Sequence, residues 1–161
     1  MVEIYETKNF KVVTPFEPHI TREDGGHIMI IPKKDYCDRT QLPPKKAIEL
    51  MRLTMITGEA FAKAMNKNGV DIGRINYQDN GNWSVFKPGG PILHIHIVGR
   101  AKSAKIQKYG TCLKLPDPKD DPNYYKNNKQ LTNEDVKEIN KQIRIISRYE
   151  KYKNSNWKLL W

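Results

Sequence analysis

Apolar and polar positions along this chain follow two periods in turn. His27–Ile31 is a nearly continuous apolar run closed by Pro32, which predicts a buried central strand. Phe10–Val13 predicts a shorter strand before it, and the polar turn Thr21–Gly26, ending in Gly25-Gly26, separates the two. Pro43-Pro44 then opens a long helix. Along it Ile48, Leu50, Met51, Met55, Ala62 and Met65 recur near helical spacing, and Gly69 acts as the C-terminal stop. Gly58 interrupts this helix and slightly weakens it. Asp71–Tyr77 predicts the next strand, Gln78–Gly90 a loop rich in Asn, Gly and Pro, and Leu93–Val98 a further strand.

The character changes after Arg100. Ala101–Leu131 is basic and carries Pro116, Pro118 and Pro122, so it predicts loop. Thr132-Asn133-Glu134-Asp135 reads as a helix cap with acids in the first turn. Val136, Ile139, Ile143 and Ile146 give the following helix one apolar stripe, expected to dock on the preceding part of the chain. The tail Tyr149–Trp161 ends in aromatics and is expected to pack down. There is no internal repeat. The expected organisation is residues 1–100 as the main domain, with 101–161 as a basic loop and helix packed on it.

Composition narrows the class. The 161 residues are 38% apolar and 29% charged, which suits one modest core. No apolar run approaches the roughly 20 residues that cross a bilayer. Met1–Phe10 carries two glutamates and no apolar stretch, so no secretory signal is expected, and a cytoplasmic location is the default. Cys37 and Cys112 fit no metal or redox spacing and read as free thiols. The formal charge of +10 is uneven: residues 1–100 carry +3 and residues 101–161 carry +7. Such a surface attracts phosphates of any kind, although solubility alone accounts for it.

The chemistry concentrates in Leu93-His94-Ile95-His96-Ile97-Val98-Gly99-Arg100. On a strand, Leu93, Ile95 and Ile97 point into a core, while His94 and His96 project from the other face, about 7 Å apart at their Cα atoms. Two imidazoles there are costly unless something uses them. The glycine-rich stretch Lys87-Pro88-Gly89-Gly90 stands just before them, and glycines let backbone N–H groups approach a phosphate. The spacing leaves three readings open: structural histidines, a metal site needing a third ligand, or a covalent phosphoryl or nucleotidyl transfer centre.

Several separate stretches resemble the histidine triad (HIT) family. Gly26-His27-Ile28-Met29-Ile30-Ile31-Pro32-Lys33 is similar to its Gly-His, apolar strand, Pro-Lys signature. The helix from Pro44 to Asn68 is similar in place and length to the family's main helix, and Gln78-Asp79-Asn80-Gly81 resembles the substrate-contacting loop of the fragile-histidine-triad branch. His94-Ile95-His96-Ile97-Val98-Gly99-Arg100 resembles the second and third histidines of the His-x-His-x-His signature. Asn76–Asp79, Gly81-Asn82-Trp83 and Gly99–Lys102 resemble a bacterial and archaeal variant with an extended C-terminal segment. The resemblance covers about residues 8–100. Ile92 stands where the first histidine of the signature would fall.

The resemblance implies an α+β fold: an antiparallel sheet of about five strands with a long packed helix, then a C-terminal loop and helix. It implies a homodimer with the helix or sheet edge at the interface, and a purine-type nucleotide pocket between sheet and loop. His94 would be the nucleophile at the α-phosphorus of a small nucleotide, and His96 would serve the leaving oxygen. His27 would share the histidine hydrogen-bond network. Gln78 and the backbone around Gly89, Gly90 and Ile92 would hold phosphate oxygens. Asn82 and Arg100 join the substrate-contacting set, although an Arg at a strand end is usually a solvated or paired side chain; Trp83 is a base platform or a loop anchor, and His19 reads first as a turn histidine, near a position that faces the ribose. No metal or other cofactor is required. The expected substrates are dinucleoside polyphosphates or nucleoside phosphoramidates. Two alternatives stand beside them: removal of adenylate from nucleic-acid ends, as in the aprataxin branch, and a nucleotide-binding scaffold with little turnover.

Overall fold

The computed structural model describes residues 1–157, apart from the side chain of Asn82. The aromatic end of the tail, Trp161, lies outside the described residues. Five strands form one sheet: β1 (Val2–Glu6), β2 (Phe10–Thr14), β3 (His27–Pro32), β4 (Ile72–Gln78) and β5 (Ile95–Ala101). Their order is β1-β2-β3-β5-β4 and every neighbouring pair is antiparallel. Two helices, α1 (Pro44–Lys67) and α2 (Asn133–Ile146), complete an α+β fold.

Register explains why this sheet has one greasy side. Val12 stands opposite Ile30, Ile30 opposite Ile95, and Ile28 opposite Ile97, and directly opposed residues share a face. All four isoleucines and Val12 are buried, against Leu53, Ile56, Phe61 and Met65 of α1. Each such side chain contributes about 1.5–3 kcal/mol on burial. The stripe predicted on α2 docks here: Ile139, Ile143 and Ile146 are wholly buried in the same core. Thr132 and Asp135 form the capping box that starts α2.

Three expectations change. β1 was not foreseen, because its alternation is short and edge-exposed: Ile4 is buried, while Val2 is exposed and Glu3 pairs with Lys11. β5 begins at Ile95 rather than Leu93, so His94 sits on the last residue before the strand; Leu93 is still buried, and its N–H bonds to the Tyr36 carbonyl at 2.7 Å. Gly58 is a crossing point rather than a mere weak spot, since a Cβ there would lie 2.0 Å from the Tyr77 hydroxyl of β4.

The other face of the sheet carries His27, His96 and Gln78. Residues 101–131 lie over the turn that leads into β3. Asp24, buried, accepts the N–H groups of Lys105, Ile106 and Gln107 at 2.8, 2.8 and 2.7 Å. At the far end Asn128 donates to the Pro18 carbonyl at 2.9 Å and the Lys129 N–H to Thr21 Oγ1 at 3.1 Å. Among the described residues, no helix is long and apolar enough to cross a membrane.

Candidate active site

β3 and β5 place His27 and His96 as diagonal neighbours on the polar face, and their side chains meet: His27 Nε2 and His96 Nδ1 are 2.9 Å apart. The other nitrogen of His27, Nδ1, lies 3.0 Å from the backbone N–H of His19. A backbone N–H only donates, so Nδ1 of His27 accepts and its Nε2 carries the proton. His27 therefore donates to His96 Nδ1, which leaves the neutral His96 with its proton on Nε2, on the side of the cavity it lines. One backbone amide thus sets two tautomers in series.

His94 is set by a different group. Its Nδ1 lies 2.6 Å from the carbonyl oxygen of Ile92. A carbonyl only accepts, so Nδ1 carries the proton, and in the neutral ring the lone pair is on Nε2. The His94 ring stands edge-on to His96, centroids 4.5 Å apart. Two residues of opposite polarity thus line one cavity of about 300 Å³: a bare nitrogen on His94 and an N–H on His96.

His19 joins this group. Its ring stacks on His27 and lies against His96, with centroids 4.5 Å away in each case, and it lines the cavity. Its Nδ1 is buried without a partner among the described residues. Burial, and then the charge His94 would carry, push His19 down to about 4. Burial, then His19 and His94, push His96 down to about 3. His27 is held well below the ordinary histidine range by burial first and by the other three rings after it. The trio is neutral near neutrality.

Three neutral imidazoles, with ligand nitrogens within 4.8 Å of one another, are also what a zinc ion takes. The hydrogen bonds do not fit that use. Both nitrogens of His27 are engaged, one accepting from an amide and one donating to His96, and a ligand nitrogen must offer a bare lone pair.

The remaining expectations divide. The cavity wall opposite the histidines is built by Asn80, Gly81, Trp83 and Ser84, not by Gly89 and Gly90. The Gly90 N–H closes a turn on the Lys87 carbonyl at 2.9 Å, so those glycines, with φ of 87° and 67°, shape the loop rather than cradle an anion. Ile92 acts through its backbone carbonyl, while its side chain is exposed. Arg100 does not face the site: it is buried and its guanidinium holds the carbonyls of Gln107 and Lys108 at 3.3 and 2.9 Å. Gln78 stands opposite His96 in register, with its amide oxygen buried and without a partner among the described residues, yet it is not on the cavity wall. Asn82 opens a short 3-10 turn, and its side chain is outside the description. Leu115 lines the cavity and Tyr125 backs it; a lone leucine and a tyrosine in a proline-rich stretch carry no signal in the sequence. Among the described residues, none that line the cavity is Lys, Arg, Asp or Glu.

No family model matches this sequence, and no curated protein matches it. Solved structures do. A hypothetical histidine triad nucleotide-binding protein of Sulfolobus tokodaii superposes with a TM-score of 0.58 at 18% identity, over 97% of this chain and 91% of that one. A Hit-like protein involved in cell-cycle regulation from Bartonella henselae gives 0.55 at 18% identity, over 90% and 85%. A histidine triad protein of Bradyrhizobium japonicum gives 0.56 at 16% identity, over 88% and 90%. At these identities the likeness concerns the path of the backbone, and over nearly the whole chain that path is the histidine triad fold.

Proposed function

We propose that this protein is a nucleotide hydrolase or nucleotidyl transferase that works through a covalent intermediate on His94. The observation that carries the reading is the 2.6 Å contact between His94 Nδ1 and the Ile92 carbonyl, which leaves Nε2 as the bare nitrogen in a cavity wall. The Nε2 lone pair attacks the α-phosphorus of a small nucleotide, such as a dinucleoside polyphosphate or a nucleoside phosphoramidate. The N–P bond forms as the bond to the leaving oxygen or nitrogen breaks. The leaving atom keeps the electron pair, is stabilised by the His96 Nε2–H and takes its proton from water. Water, or another acceptor, then attacks phosphorus and returns the N–P pair to His94.

The neutral trio supports this division of labour. A protonated His96 could not accept the His27 proton at Nδ1, so burial keeps the relay intact.

The same proposal includes a homodimer. Among the described residues the outer edge of β4 pairs with no strand, and Met51, Met55 and Tyr77 are exposed beside it around a groove of about 500 Å³. A two-fold copy would pair these edges and cover the same residues on both sides. Sedimentation of the wild type and of Met51→Glu tests it, with a dimer expected only for the former.

The test of the chemistry is intact-mass spectrometry after brief mixing with adenosine phosphoramidate. An adenylyl adduct on His94 is expected in the wild type and not in His94→Ala. Turnover that is equal in both proteins would remove the proposal.

A further inference from the structure

We propose that residues 101–131 supply one side of a base-stacking slot, in which Leu115 and Trp83 clasp the nucleobase of the bound nucleotide. This rests on the nucleotide reading above and adds where the base goes. The catalytic end of the cavity is formed by His94 and His96, so the phosphorus belongs there. The rest of the wall includes Trp83, 44% exposed, and Leu115, among the described residues the one lining residue contributed from beyond β5. Tyr125 stands edge-on to Trp83 with centroids 5.5 Å apart, and 5.6 Å from His19. An indole face, an aliphatic side chain and an absence of charge suit a flat aromatic ring rather than a second phosphate. The volume, about 300 Å³, is at the low end for a small organic ligand and leaves room for little beyond one nucleotide.

Leu115 holds its place by construction. Gln107 clamps the residue before it from both sides, with Nε2 donating to the Lys114 carbonyl at 2.6 Å and Oε1 accepting the Lys114 N–H at 3.0 Å. Gln107 is itself buried and tied to Asp24 and to the Arg100 guanidinium. On the other flank the Tyr125 hydroxyl donates to the Pro116 carbonyl at 2.7 Å. Two buried networks therefore pin the residues on either side of Leu115, which a solvated basic tail would not need.

Calorimetric binding of AMP and of ribose 5-phosphate compares the same phosphate and sugar with and without a base. The wild type is expected to prefer AMP by about tenfold or more, the order of one stacked base. In Leu115→Ala and Trp83→Ala that preference is expected to fall to within about threefold, with ribose 5-phosphate binding unchanged. Trp83 is exposed enough for its variant to fold even where the leucine variant does not. Equal binding of the two ligands by the wild type, while the His94 adduct still forms, overturns the slot and leaves the nucleotide reading standing. A preference that survives in the Trp83 variant also overturns it. Absence of both AMP binding and adduct removes the two readings together.

Discussion

His94 and Ile92 are joined by one short contact, Nδ1 to carbonyl oxygen, 2.6 Å across a single intervening residue. The group that orients the His94 ring is thus a backbone atom. Ile92 replaces the first histidine of the signature that this chain resembles, and the replacement costs nothing at this contact, because every residue carries a carbonyl. The ring's tautomer is a property of the chain path through residues 92–94.

Substitution of Ile92 by Ala should therefore leave turnover of a phosphoramidate within about threefold of wild type, since one neutral hydrogen bond is retained in full. A steady-state assay checks this. A loss of a hundredfold in kcat with the fold intact would show that the side chain, not the carbonyl, does the orienting.

The relay makes a second demand. His27→Phe keeps a ring in the core and removes both hydrogen bonds, leaving His96 Nδ1 and the His19 amide without partners. About 10²–10³ in kcat is expected to go, the scale of a misplaced donor at a leaving atom, while the His94 adduct still forms. The expected signature is an adduct that accumulates slowly but specifically; an unchanged kcat would mean that the relay has no catalytic part.

Acid should destabilise the protein through the same histidines. His19 and His96 are pushed below their unfolded value of 6.5, to about 4 and about 3. Between those limits the unfolded chain binds more protons than the folded one. Their neutral burial is thus fully tolerated above pH 6.5, and stability is lost as pH falls from there towards 3 to 4. Urea titrations at pH 7 and pH 5 should give a drop that is smaller in His19→Phe than in the wild type. Equal drops would place the acid sensitivity elsewhere.

Two glycines meet obstacles of different kinds. A Cβ on Gly99 would lie 2.3 Å from the Gly25 carbonyl oxygen, whereas a Cβ on Gly58 would meet the Tyr77 hydroxyl. Backbone in a turn locked to β5 cannot yield, but Tyr77 is half exposed and can swing outward. Gly99→Ala should cost about 3 kcal/mol, as overpacking does. Gly58→Ala should cost about 1 kcal/mol or less, helped by helix propensity. Chemical denaturation measures both, and the reverse order would contradict the close approach of β5 to the turn.

Arg22 and Asp135 close the structure at long range. Asp135 is buried and accepts Arg22 Nε at 2.6 Å and Nη2 at 2.9 Å, together with Asn68 Nδ2 at 2.9 Å. These bonds hold the carboxyl of Asp135 low against the upward push of burial. Arg22→Ala strands that carboxylate and should lose about 3 kcal/mol, measured by urea midpoint. A loss below about 0.5 kcal/mol would mean that water replaces the guanidinium.

Local sequence was sufficient wherever side-chain period or backbone chemistry decides. The apolar run of β3, the proline-opened α1, the Thr132 cap and the nearness of His94 to His96 are all consequences of neighbours within one turn or one strand. His94 and His96 stood out in the sequence for that reason. What depended on tertiary structure is how distant segments meet. The order β1-β2-β3-β5-β4 brings His27 to His96, 69 positions away in the chain. The folding of residues 101–131 onto the turn at 16–24 turns His19 from a turn residue into part of the site and puts Leu115 in its wall. The same packing takes Arg100 out of it, because its guanidinium donates to the carbonyls of residues 107 and 108. Contacts of that kind are set by which buried polar groups find partners once the core has closed, and no local pattern encodes them.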